Sequence, residues 1–165
     1  MHKASDSHLS HHFKSKHTDS LVSIDGFTVH RRDRVARRGG GTAIYVHSTL
    51  HSSRWTPADA VDNRDYEMLW VRVGTHLFFA ALYHPPRPTY QTEGLLAYMD
   101  SCVSQISHDF PLADVVVAGD LNRLSDQDVI ERTGLTQIIY QPTRGANILD
   151  RVFVSNLIYT LLSGL

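Results

Sequence analysis

Four short stretches of this sequence hold side chains that could do chemistry, and two of them lie beside buried-looking strands. The first is VVVAGDLN, in which an apolar run ends in Asp120 and Asn122. An aspartate at a strand end can take a proton from water or hold a divalent cation. An asparagine two positions on offers a carbonyl and an amide donor, suited to a phosphate oxygen. An extended chain would put both on one side. An Asx turn that simply closes the strand is the commoner outcome for such a pair taken alone. The second stretch is YHPP. Tyr83 ends an apolar strand, and two prolines fix the chain after it. Its phenol could donate to a phosphate oxygen, or it could be an ordinary rim tyrosine.

The third stretch is QPTRGANILD, which gathers Thr143, Arg144 and Asp150 around a turn and the start of a strand. Asp150 could orient a histidine, as buried carboxylates do in catalytic sites; a structural carboxylate is the alternative. The fourth is a basic segment with Arg31, Arg32, Arg34, Arg37 and Arg38 inside eight residues. Guanidinium groups suit phosphate contacts, and such a cluster could track a nucleic-acid backbone. A solvated charged loop is equally consistent with it. Gly39 to Gly41 do not form a phosphate-cradling P-loop, because no Gly-Lys-Ser/Thr follows and a strand comes next.

These residues need elements to position them. Ile24 to Val29 alternates as a strand, and the basic segment after it reads as loop. Thr42–His47, Glu67–Val73 and His76–Tyr83 read as strands, the last two joined by a Gly74-Thr75 hairpin. Residues 51–66 read as irregular. Leu95, Met99, Cys102, Val103 and Ile106 recur every three or four positions and mark the clearest helix. Cys102 therefore belongs to the core rather than to catalysis. VVVA, LTQIIY and ILDRVFVS read as strands. SDQDVIERTG reads as a short helix, with Ser125 as its N-cap and Gly134 as its stop. The pattern implies a layered α/β or α+β domain.

Bulk properties exclude several classes. The 165 residues suffice for one domain with a core. The chain is 42% hydrophobic and 20% charged, with a formal net charge of -1, so any nucleic-acid contact must be local. One cysteine allows neither an internal disulfide nor a cysteine-based zinc site, and no disulfide-linked partner is expected. No segment approaches the roughly 20 apolar residues that span a bilayer, and no secretory signal opens the chain. The protein reads as intracellular, without membrane contact. Residues 1–20 hold five of the eleven histidines and read as a solvated, disordered tail; residues 21–165 form the domain. The apolar end, LIYTLLSGL, is unusual for a complete domain.

Taken in order, GGGTAIYV, EMLWVRV, LYHPP, VVVAGDLN and QPTRGANILDRVFVSN closely resemble the endonuclease/exonuclease/phosphatase superfamily. The nearest likeness is to the endonuclease domain of non-LTR retrotransposons, itself similar to apurinic/apyrimidinic endonucleases. The resemblance covers roughly Leu21 to Asn156. It implies a four-layer sandwich of two packed β-sheets flanked by helices, here incomplete. It also implies Mg²⁺-dependent hydrolysis of phosphodiester bonds, with DNA as partner and hence a nuclear location; in retrotransposons such a domain is associated with a reverse transcriptase, and whether one follows here is left open by the sequence. By resemblance, Asp120 aligns and deprotonates the attacking water and is a weak metal ligand, and Asn122 contacts the phosphate or the nucleophile. Tyr83 donates to the phosphate, and Asp150 orients a catalytic histidine. Thr143 lies near the site. Arg144, Arg37 and Arg38 are the candidate substrate-binding arginines.

The departures are equally specific. Family members carry an Asn and a metal-binding Glu on early strands, and a Ser-Asp-His motif at the end. Neither is found here, and Glu67 lies on a later strand than the metal ligand. The chain therefore reads as truncated at both ends. Loss of the Glu and the His removes groups that each supply ~10²-fold or more in rate, so little or no activity is expected. A non-catalytic nucleic-acid-binding or structural remnant is the alternative, and a phosphatase or phospholipid phosphodiesterase of the same superfamily is a further one.

Overall fold

The computed structural model describes residues 22–34, 41–58 and 65–155. The histidine-rich tail, Arg37, Arg38 and the apolar C-terminal stretch lie outside these residues. Among these residues eight strands form two sheets. β1 (Phe27–Asp33) and β2 (Gly41–His47) make an antiparallel pair, and a six-stranded sheet has the order β3-β4-β5-β6-β8-β7. Its members are β3 (Ser52–Trp55), β4 (Glu67–Val73), β5 (Leu77–Tyr83), β6 (Asp114–Asp120), β7 (Thr136–Gln137) and β8 (Asp150–Val154). Among the described residues lie two longer helices, α1 (Thr92–Asp109) and α2 (Asp126–Thr133).

α1 forms where the 3.6-residue stripe places it. Leu95, Met99, Cys102, Val103 and Ile106 are all buried, and they pack on Phe78, Ala80, Leu82, Val115 and Val117. Burial pushes the Cys102 thiol up to about 12, so it stays protonated and unreactive. Ser125 caps α2 by accepting from the Asp128 amide at 3.2 Å, and Gly134 ends it at φ +68°. Arg132 of α2 pairs with Glu93 of α1.

The helices cover one face of the six-stranded sheet. The β1–β2 pair lies on the other face, where Ile44 and Val46 pack on Leu69 and Val71. This is an α+β arrangement of two sheets with helices outside, consistent with an incomplete sandwich.

Three expectations are corrected. The first strand starts at Phe27, after a turn at Gly26, and runs to Asp33. Arg31 and Arg32 thus lie on a strand rather than in a loop, because they pair with Ala43 and Thr42 of β2. The supposed loop of residues 51–66 contains β3, which pairs with β4 from Ser52↔Val73 to Trp55↔Trp70. Trp55 supplies the apolar anchor, edge-on to both Trp70 and Phe78. LTQIIY yields only the two residues of β7, although the Ile138 amide still bonds the Val152 carbonyl.

Candidate functional site

Register brings the candidate residues together. Tyr83 is paired with Asp120 across the parallel β5–β6 ladder, and Asp120 with Asp150 across the antiparallel β6–β8 ladder. On the other side, Glu67 is paired with Tyr83. Glu67, Tyr83, Asp120 and Asp150 therefore form one row at one end of the sheet. Facing partners in a ladder project to the same side. Alternation along β5 puts Phe78, Ala80 and Leu82 under the helices, so Tyr83 faces the β1–β2 side, and the row goes with it. Three candidates separated by dozens of residues in sequence become neighbours.

The glycine before Asp120 makes the row possible. Gly119 has φ +154°, and a Cβ there would lie 1.8 Å from the Leu82 carbonyl oxygen. Only a residue without a side chain lets β6 approach β5 this closely.

Beyond Asp120 the chain turns. The Asn122 amide donates to Asp120 Oδ1 at 3.2 Å, an Asx turn, and Asn122 itself has φ +45°. The condition of an extended chain through Asn122 is not met: a left-handed residue breaks the alternation, and the Asx turn forms. Leu121 is buried between the two polar residues, and the turn lets it enter the core. The Asn122 carboxamide donates to the His84 carbonyl at 2.9 Å, and the His84 amide donates to the Asp120 carbonyl at 2.9 Å. YHPP and GDLN are thus tied directly. The structure shows the turn and places Asp120 in the row as well, so the two readings of GDLN do not compete.

His84 is the hinge of this link and was not singled out from sequence. It is buried, its Nδ1 lies 3.0 Å from the Tyr90 hydroxyl, and burial lowers its pKa from the ordinary value. Arg151 was also missed. It donates to the carbonyls of Ile148, Leu124 and Asn122, and its Nε lies 3.0 Å from Asp126. One partly buried guanidinium thus holds the loop after Asp120 against the start of β8. Its only sequence signal is its place next to Asp150.

Thr143 acts on Asp150 through the backbone. Its hydroxyl accepts from the amides of Leu149 and Asp150, at 2.9 and 3.0 Å. The turn below it is closed by Arg144 and Asn147, bonded amide to carbonyl in both directions at 3.0 Å, with Gly145 at φ +60°. Arg144 is exposed at this turn.

The described residues do not by themselves fit a Mg²⁺ site. Among the described residues no group of three or more His, Cys, Asp or Glu could hold a metal. Asp120 and Asp150 offer two carboxylates. The third in the row, Glu67, has both oxygens engaged by Arg34, at 2.7 and 2.9 Å. Among the described residues no histidine bonds to Asp150.

No family model matches the chain, and no curated protein sequence matches it. Solved structures do. A D. rerio TDP2 humanised by 14 mutations aligns with a TM-score of 0.51 and 15% identity, covering 78% of this chain and 61% of that one. ANGEL2, a 2',3'-cyclic phosphatase, aligns with a TM-score of 0.52 and 13% identity, covering 84% of this chain and 63% of that one. Both belong to the endonuclease/exonuclease/phosphatase superfamily, and neither is a retrotransposon endonuclease. The chain spans less than two thirds of the length of either. At these identities the likeness is one of fold: this chain is similar in fold to superfamily members over most of its length.

Proposed function

We propose that this chain binds the phosphodiester backbone of DNA at the Glu67–Tyr83–Asp120–Asp150 row, as a retrotransposon-type endonuclease domain with little or no nicking activity of its own. The observation that carries the reading is the register itself. A phenol and two carboxylates from three strands share one sheet end, and Asn122 is locked beside them. Ligands of layered sheets gather at such ends. In this reading Tyr83 donates to a phosphate oxygen. Asp120 keeps one oxygen on the Asn122 amide and offers the other to a water proton. Thr143 and Arg151 hold the loops that carry Asp150 and Asn122. A nuclear location follows from a DNA substrate.

ANGEL2 is a 2',3'-cyclic phosphatase, which lends a phosphatase reading some support, but the basic segment favours a polyanion over a small phosphate ester. The test is to incubate the purified chain with supercoiled plasmid and Mg²⁺, beside an Asp120→Ala variant, and to measure duplex binding in parallel. Salt-sensitive binding with no nicking is the expected result. Nicking that the substitution abolishes would overturn the claim of low activity. Absence of binding by the folded chain would overturn the proposal.

A further inference from the structure

Arg34 comes from the basic segment, directly after β1, yet its guanidinium ends on the row. Nε and Nη2 donate to the two carboxylate oxygens of Glu67, at 2.7 and 2.9 Å. Its central carbon sits 5.3 Å from the centre of the Tyr83 ring. The two side chains are 26% and 15% exposed, so the pair is seated in the protein but open to solvent. Hydrogen bonding to Glu67 raises the Arg34 pKa above its ordinary value, and the neighbouring Tyr83 adds to this. A guanidinium so placed is a fixed cation next to the phenol that would meet a phosphate.

A plain strut between the β1–β2 pair and β4 would account for an ion pair somewhere along β4. It does not call for the pair to fall on the one residue of β4 in register with Tyr83, or for the guanidinium to lie over that ring. Planar, forked donors are what phosphate recognition uses. We infer that Arg34 binds the backbone phosphate that Tyr83 contacts, and that Glu67 is its positioning residue, aiming the guanidinium and competing with the phosphate for it. The inference rests on the phosphodiester reading above and names the cation of that site.

The two roles predict affinity changes of opposite sign. The full chain and its variants are titrated with a short fluorescent DNA duplex over a range of salt, and thermal melting is followed on the same samples. Arg34→Gln should weaken binding about tenfold and flatten the salt dependence by about one phosphate contact. Glu67→Gln keeps an acceptor for the guanidinium but removes the competing charge, and should tighten binding about threefold. Arg34→Lys keeps the charge without the fork; it should retain the wild-type salt slope at intermediate affinity. If Arg34→Gln and Glu67→Gln both lower the melting temperature and leave affinity unchanged, the pair is a strut and the inference fails. Equal weakening by both overturns it too, because competition by Glu67 is then absent. If the folded wild type does not bind the duplex, the functional reading falls and takes the inference with it. If the wild type binds and the variants match it, only the inference falls.

Discussion

On one face of the six-stranded sheet, Phe78, Ala80, Leu82, Val117 and Phe153 are sealed under α1 and α2 among a large set of buried residues. On the other, a cluster of four buried side chains, Ile44, Val46, Leu69 and Val71, joins the sheet to a two-stranded cover. The row of Glu67, Tyr83, Asp120 and Asp150 belongs to this second face, which among the described residues only the β1–β2 pair covers. A sheet with one well-packed face can carry charge on the other, because the helix side supplies most of the stabilising burial. Glu67 and Asp120 are only partly buried and Asp150 is exposed, so the charges of the row keep contact with water. Substitutions on the two faces should therefore separate stability from binding.

Gly119→Ala tests the joint between the faces and should have the largest effect. The added Cβ meets the Leu82 carbonyl, and the backbone there suits glycine alone. Strain and overpacking together predict a loss of about 4 kcal/mol or more, read as a collapse of the urea midpoint or loss of soluble protein. A variant that melts like the wild type would show that β5 and β6 can separate at this point, and the row would lose its rigid base.

Leu82 and Leu69 offer the same side chain on opposite faces. Both are 1% exposed, and they sit on adjacent strands. Leu82→Ala should cost about 3 kcal/mol, since the packed helices cannot follow the cavity. Leu69→Ala should cost nearer 2 kcal/mol, because a two-stranded cover can settle inward. Equal losses in denaturant titrations would mean that the two faces are equally rigid.

The faces also differed in how far they could be read from sequence. α1 was legible because its stripe depends only on local spacing, and α2 because Ser125 and Gly134 mark both ends. Asp120, Tyr83 and Asp150 were found as separate strand ends, but their common row is a matter of register, which no local pattern encodes. β3 escaped because a four-residue edge strand, SSRW, is too short to show alternation. Arg34 was visible only as one of five arginines. Its pairing with Glu67 spans 33 positions and could not be told from solvated charge. His84 ties the loop through its own backbone, and Arg151 reaches mostly backbone carbonyls, so their residue types gave little hint of the partners.

His84 connects the helix side to the loop that holds Asn122, and its effect should be moderate and pH-dependent. Burial lowers its pKa from 6.5 in the folded chain. The unfolded chain then binds the proton more readily, so stability present above pH 6.5 is lost as pH falls below it. His30 is lowered as well, by burial and then by Arg54, and contributes to the same slope. His84→Gln should flatten the fall of the melting temperature between neutral and mildly acid pH, leaving the share of His30. An unchanged slope would mean that His84 does not gate this loop.

The smallest effect belongs to the charged row itself. Asp120 and Asp150 face each other across the β6–β8 ladder, and like charges directly opposite oppose pairing. Arg151, next in sequence to Asp150, is turned away to the carbonyls of Ile148, Leu124 and Asn122 and does not neutralise the pair. Asp150→Asn removes one charge and leaves the Thr143 bonds to the backbone amides of Leu149 and Asp150 intact. It should stabilise the chain by about 0.5 kcal/mol at low salt, and less as salt rises and screens the pair. A substitution on the packed face would instead destabilise at every salt concentration. Thermal melting at two ionic strengths decides the matter. A loss of stability on Asp150→Asn would mean that the carboxylate holds a partner of its own, and the row would be a structural network rather than a surface kept open for a ligand.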